Sequence, residues 1–196
     1  FVNLTTRHAD ICENLVNLFF VNEDLKKDPQ VFVDSTPKKV DVAGVLGAGV
    51  MGGGIAWLFS YRDIPVRVKD IQWDAVSKGF EAANGIYKQL QKIRKLNSGQ
   101  VNLKMHKISG STDYSGFQNA DIIVEAVVEN MDLKKKVFAE LEENIRPDTL
   151  ICSNTSALSI TEMQKDLKHP ERFVGMHFFN PVNRIDRKST RLNSSH

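Results

Sequence analysis

Cysteine is scarce in this sequence: Cys12 and Cys152 are the two in 196 residues. They have no metal-ligand spacing and form no set of bridges, so the sequence offers no thiol-based metal centre and no disulfide framework; no metal is expected, and a reducing compartment fits. Charge of one sign is lacking too. The 26 Lys and Arg against 24 Asp and Glu leave a net charge of +2, too small to argue for a nucleic-acid or membrane-surface partner. No apolar run approaches the ~20 residues needed to cross a bilayer. Residues 1–20 have neither the basic start nor the small-residue cleavage site of a signal peptide, and the expected location is the cytoplasm. The chain opens on Phe1 rather than Met, which reads as an internal piece of something longer. What is present is an ordinary globular composition, 41% hydrophobic and 26% charged, in a length suited to one sizeable domain with extensions.

Along the chain the hydrophobic pattern changes twice. Ile11, Leu15, Leu18 and Phe19 make one apolar stripe, which predicts a helix over 8–26, and a polar linker with two prolines follows. Residues 1–38 therefore read as a linker helix and linker. From residue 39 to 184 short apolar runs alternate with helical patterns. Strands are predicted in "VDVAGVL" (40–46), "IPVRVKD" (64–70), "DIIVEAV" (121–127), "TLICSN" (149–154) and "RFVGMHF" (172–178). Helices are predicted over 50–61, 72–96 and 131–145, with a polar excursion to about 106. This alternation means βαβ units and an α/β fold with a doubly wound parallel sheet of the Rossmann type. The final stretch, 185–196, is basic and hydroxyl-rich with Leu192 as its one large apolar residue, so no regular structure is expected there.

Gly47-Ala-Gly49-Val-Met-Gly52 has G-x-G-x-x-G spacing between a predicted strand and a predicted helix. In that setting Gly47 permits the tight turn, Gly49 lets the backbone approach a pyrophosphate, and Gly52 allows close helix–strand packing. The helix N-terminus offers unpaired N–H groups and a positive dipole end to the phosphates. Asp70 ends the next strand about 20 positions on, the place of a carboxylate that binds the adenosine ribose and repels a 2′-phosphate, favouring NAD over NADP. Arg67 and Lys69 are nearby cations that work against that preference. A purely structural glycine turn is the alternative. Gly53 and Gly54, beyond the fingerprint, read as tight helix packing.

Further motifs stand at "VEAVVENMDLKKKVF", "CSNTSALSI" and "GMHFFNPVNR". With "GVLGAGVMGGGIA" before them, residues 40–184 resemble the NAD-binding domain of the 3-hydroxyacyl-CoA dehydrogenases, above all the dehydrogenase portion of the bacterial multifunctional fatty-acid oxidation α-subunits. Residues 8–38 look like the linker between the hydratase and dehydrogenase halves of those proteins. The resemblance implies oxidation of a 3-hydroxyacyl-CoA to the 3-ketoacyl-CoA with hydride transfer to NAD. It also implies a full-length protein that is oligomeric and assembled with a thiolase subunit. His177 matches the family's catalytic histidine, and imidazole exchanges a proton near neutral pH; a satisfied core histidine is the plain alternative. Ser156 matches a catalytic hydroxyl that holds substrate and cofactor near the reacting carbon, though Ser156 and Ser159 both precede a helical segment and either can be its N-cap. Asn180 matches a residue beside the nicotinamide, or simply shapes the Asn-Pro turn. Met51, Val128, Glu129 and Lys134 match cofactor-side positions, the last two otherwise reading as a solvated helix start. Asn154 is a substrate contact on the same grounds. Lys78, Lys88, Lys92, Arg94 and Lys95 read as a solvated face, or as a basic approach to the CoA phosphates. His8, His106, His169 and His196 carry no motif and read as surface residues.

In the family a glutamate orients the catalytic histidine. Counting to its position gives Ser189, and no Asp or Glu follows Asp186. The family's helical C-terminal domain has no counterpart in this sequence, and "DRKSTRLNSSH" reads as a non-native tail on a truncated chain. Without the orienting carboxylate the histidine loses tautomer control, and low activity is expected. An NAD-binding module without chemistry is therefore the reading from another class, and a dehydrogenase of a related β-hydroxy acid is the alternative within enzymes.

Overall fold

A computed structural model describes residues 38–183 and, in main chain alone, 189–191. The chain divides into two units between Lys38 and Lys39. The helix and linker expected over 1–38 lie, but for Lys38, outside the described residues.

In chain order the second unit runs β1 (Ala43–Leu46), α1 (Val50–Tyr61), β2 (Val66–Lys69), α2 (Trp73–Lys92), α3 (Ser98–Met105) and β3 (Ile108–Ser111). It continues with β4 (Ile122–Glu125), α4 (Met131–Glu142), β5 (Leu150–Ser153), α5 (Ile160–Gln164), β6 (Phe173–His177) and β7 (Ser189–Arg191). The sheet order is β3-β2-β1-β4-β5-β6-β7. The first six strands are parallel and β7 is antiparallel to β6. The chain leaves β1 toward one edge and returns at β4 on its other side, so the carboxyl ends of β1 and β4 flank a crevice.

The strands are covered on both faces. Ala43 and Val45 of β1 pack with Ile55, Trp57, Ala83 and Tyr87 of α1 and α2. Leu46, Ile123 and Ile151 face the other way, onto Phe138 and Leu141 of α4 and Met163 of α5. That is why β1 and β4 are buried at all four positions instead of alternating. Phe138 and Phe173 meet edge-to-face at 4.9 Å, and truncating such a buried ring costs about 3–5 kcal/mol. Asp121 fixes the opposite end of the sheet, accepting from the N–H groups of Asp41 and Val42 at 2.8 and 3.0 Å.

The structure corrects the expected elements in four places. The helix expected over 72–96 stops at Lys92, and Arg94 turns the chain in the left-handed region at φ 56°, so Arg94 and Lys95 do not continue its face. Asn97 and Gln100 then form a capping box that opens α3, inside the stretch expected to be irregular. That stretch is followed by β3, which has no counterpart among the expected strands. As an edge strand paired to β2 alone it needs few apolar residues, and Ile108 and Ser111 are its buried positions. In the tail, Ser189–Arg191 pairs with β6 although no regular structure is expected there. An open edge strand offers unpaired main-chain groups, and pairing with them does not require apolar side chains.

Candidate active site

The glycine turn leaves β1 and opens α1. Gly47 sits at φ 91°, and a Cβ there would lie 2.6 Å from the Ala126 carbonyl oxygen. At Gly52 it would lie 1.8 Å from the Gly47 oxygen. Around Gly49 a Cβ would meet nothing within 4 Å, which leaves room for a group as bulky as a pyrophosphate. Asn97, Asn130 and Ser159 cap α3, α4 and α5 with their side chains, whereas α1 at Gly49 and α2 at Gln72 begin with no side-chain cap, and of these two α1 is the one that opens at the glycine turn. Its first N–H groups are therefore at the disposal of a ligand. Gly53 and Gly54 do serve packing, against Gly79 of α2 and against Val182.

Asp70 stands at the end of β2 beside this turn. Its Oδ2 accepts from the Ala48 N–H and its Oδ1 from the Ile71 N–H, each at 2.7 Å. A carboxylate retains further acceptor sites after two such bonds, so the position fits a ribose diol. The two neighbouring cations are drawn elsewhere. The Lys69 ammonium lies 4.4 Å above the Tyr114 ring, and Arg67 packs its side chain against Gly116. Val128, in the loop leaving β4, is 67% exposed at the same end of the sheet.

Beside the turn lies a cleft of about 290 Å³. Met51 comes to it from α1, Glu129 from the loop after β4, Asn154 and Ser156 from the loop after β5, and His177, Phe179 and Asn180 from the end of β6. His177 Nδ1 lies 3.5 Å from the Asn154 carbonyl oxygen, and its ring meets Phe179 edge-on at 4.8 Å. The Asn154 side chain accepts from the Phe178 N–H at 2.8 Å. Among the described residues no carboxylate pairs with His177. Ser159, not Ser156, caps the following helix by accepting from the Glu162 N–H at 3.2 Å, so Ser156 belongs to the cleft. His106 is exposed and His169 half-exposed, away from these residues.

Lys134 is not part of a solvated helix start. It is 1% exposed, behind the cleft wall, with its ammonium 2.5 Å from Glu125, 3.3 Å from the Val127 carbonyl and 3.4 Å from Glu129. It braces the loop that carries Glu129. Glu129 itself binds the neighbouring loop, accepting from the Thr155 hydroxyl and from the N–H groups of Ser156 and Ala157 at 3.1 and 3.3 Å. Burial alone pushes its carboxyl up, but the Thr155 hydroxyl, the Lys134 charge and the two N–H donors together hold it below the usual glutamate value. Glu125, Ser153 and Thr155 stand behind these residues; they lie inside the quoted motifs, but the sequence reading gives them no role. The one signal they leave is a carboxylate closing an otherwise apolar strand, with a lysine in the next helix.

The likeness to known proteins agrees with this geometry. The family model for the 3-hydroxyacyl-CoA dehydrogenase NAD-binding domain matches residues 42–186. The fatty acid oxidation complex subunit alpha of Idiomarina loihiensis is 40% identical over 185 residues, 94% of this chain and 26% of that protein. Its counterpart in Pseudomonas savastanoi pv. phaseolicola is 42% identical over 183 residues, 93% of this chain and 25% of that protein. The chain thus spans about a quarter of the length of the curated relatives it matches. Among solved structures, (S)-3-hydroxybutyryl-CoA dehydrogenase from Ralstonia eutropha superposes with a TM-score of 0.75 at 35% identity, over 78% of this chain and 54% of that one. The 3-hydroxybutyryl-CoA dehydrogenase of Escherichia coli K12 gives 0.72 at 32% identity, over 75% and 31%. Most of the chain falls under one family model, and the same crevice carries the glycine turn, Asp70 and His177: the chain belongs to the 3-hydroxyacyl-CoA dehydrogenase family, as its NAD-binding domain.

Proposed function

We propose that this chain holds NAD along the glycine turn and Asp70 and presents C3 of a (S)-3-hydroxyacyl-CoA to it in the cleft beside His177. The single observation that carries the reading is the convergence of Met51, Glu129, Asn154, Ser156, His177 and Asn180 on one cleft at the carboxyl ends of the strands. NAD, when bound, accepts the hydride that leaves C3 as the 3-ketoacyl-CoA forms. The rest falls to this chain. Gly49 and the uncapped start of α1 receive the phosphates, Asp70 the adenosine ribose, and Met51, Val128, Glu129 and Asn180 stand on the cofactor side. Nδ1 of His177 faces the Asn154 carbonyl, so a proton held there leaves Nε2 as the atom that takes the substrate hydroxyl proton. Ser156 donates to the substrate oxygen and keeps it within reach of that nitrogen, and Asn154 shapes the wall between them.

A carbonyl at 3.5 Å holds the ring loosely. A mixture of tautomers and slow turnover follow for this chain, and this favours a second reading in which it binds NAD without chemistry. In the full-length protein the reaction belongs to fatty-acid oxidation within a multi-subunit complex, with a thiolase subunit as partner and the cytoplasm as location. The test is calorimetric titration with NAD, then turnover of (S)-3-hydroxybutyryl-CoA followed as NADH absorbance. NAD binding with a slow rate abolished by His177→Gln supports the first reading. Binding with no rate supports the second, and absence of binding refutes both.

A further inference from the structure

Glu125 and Lys134 form an ion pair at 2.5 Å with side chains 0% and 1% exposed, and neither touches the cleft. A buried ion pair seldom stabilises a fold beyond an apolar pair of the same volume, so its location is the informative feature. Glu125 closes β4 and Ser153 closes β5, and the next residues, Ala126 and Asn154, line the cleft. The bond from the Asn154 N–H to the Glu125 carbonyl, 2.8 Å, joins the two strands where they end. Beyond it the Glu125 carboxylate takes over. Oε1 accepts from the Val127 N–H at 2.7 Å and from Lys134, and Oε2 from the Ser153 hydroxyl at 2.7 Å. Lys134 reaches on to Glu129, which holds the Thr155 hydroxyl and the Ser156 N–H. The Glu125 carboxylate thus links the loop after β4 to the end of β5, and through Lys134 and Glu129 to the loop beyond.

We infer that Glu125 is a positioning residue for His177 and Ser156: by tying the exits of β4 and β5 together it sets where the Asn154 carbonyl and Ser156 stand in the cleft. The inference rests on reading this cleft as the NAD and hydroxyacyl site. Low tolerance for misplacement makes the effect large, because site groups must be held within about 0.5 Å by the residues behind them.

Two variants test it. Glu125→Gln keeps the volume and removes the charge; Ser153→Ala removes the hydroxyl's bond to Glu125 and the long one it accepts from the Thr155 N–H, and leaves the ion pair intact. The readouts are the ring ¹⁵N shifts of His177, which report its tautomer without ligand and are assigned with His177→Gln, and the NAD affinity. Both variants are expected to move the His177 shifts away from the wild-type balance, toward less of the Nδ1-protonated tautomer that faces the Asn154 carbonyl, with NAD binding about tenfold weaker for Glu125→Gln and about threefold weaker for Ser153→Ala. A lower melting temperature with unchanged His177 shifts would mean a merely structural network and would overturn the inference. If Glu125→Gln does not fold, Ser153→Ala decides by the same criterion. A wild-type chain that binds no NAD counts against the proposed function, while the ligand-free ring shifts still decide the role of Glu125.

Discussion

At one end of the crevice, Gly47, Gly49 and Gly52 build a cradle from main chain within a single turn, locked by the Ala126 carbonyl and the Gly47 oxygen. At the other end, His177 depends on a residue 23 positions away, Asn154, whose carbonyl stands 3.5 Å off. The cradle is fixed by sterics that admit no side chain at Gly47 or Gly52, whereas the histidine is fixed by contacts that several loops must supply together. Binding and chemistry in this domain therefore have different vulnerabilities: the first is lost by adding an atom, the second by shifting a loop.

The strongest way to break the contrast is to fill the cradle. Gly52→Val places a Cβ 1.8 Å from the Gly47 oxygen, a distance that no side-chain adjustment relieves. NAD binding is expected to fall below detection in a calorimetric titration, more than about 100-fold. Retained affinity would mean that the turn does not receive the phosphates. Asp70→Ala comes next, with NAD about tenfold weaker, since a charged group's hydrogen bonds contribute about 1.5–3 kcal/mol each. The Ala48 and Ile71 N–H groups also lose their partner, so the melting temperature drops slightly. The ratio of NAD to NADP affinity is expected to collapse toward one, because Lys69 is held over Tyr114 and Arg67 against Gly116, and the carboxylate is the group that discriminates.

What is legible in the sequence follows the same division. The glycine turn, the helix at Val50–Tyr61 and Asp70 are local signals, each decided by a few neighbouring residues, and the structure has them where the spacing puts them. The two buried layers are legible as apolar runs. β3 is not, because an edge strand reading Ile-Ser-Gly-Ser carries no apolar run, and α3 is hidden because its capping box lies in a polar stretch. At the site, Lys134 matches a cofactor-side motif, but where its ammonium goes is decided by Glu125, nine residues earlier on another element. Glu125 and Thr155 are illegible for the same reason: their partners are brought together only by β4 and β5 lying side by side.

His177→Gln sharpens the comparison from the other end. The ring touches Phe179 and Asn154 and no part of the glycine turn, so NAD affinity is expected to stay within about twofold of wild type. Any turnover of (S)-3-hydroxybutyryl-CoA is expected to vanish. A large loss of NAD affinity instead would show that the two ends of the crevice are coupled more tightly than their separate construction implies.

The smallest expected effect is on stability against pH, and it lies at the bridge between the two loops. Glu129 has its carboxyl held below the usual value by the Thr155 hydroxyl, Lys134 and two main-chain donors, against the opposing pull of burial. A carboxylate with a depressed folded pKa binds fewer protons folded than unfolded, so its contribution is complete above the unfolded value of 4.5 and is lost as pH falls through the folded one. Glu129→Gln removes that linkage. Because the side chain is 39% exposed, solvent screens part of the effect, and the melting temperature of the variant is expected to be about 1–3 °C lower at neutral pH. The gap should close as the pH drops below 4.5, as scanning calorimetry across that range would show. A gap that stays constant down to acid pH would mean that Glu129 holds the 155–157 loop through shape alone, and that its charge contributes nothing to tying the two loops together.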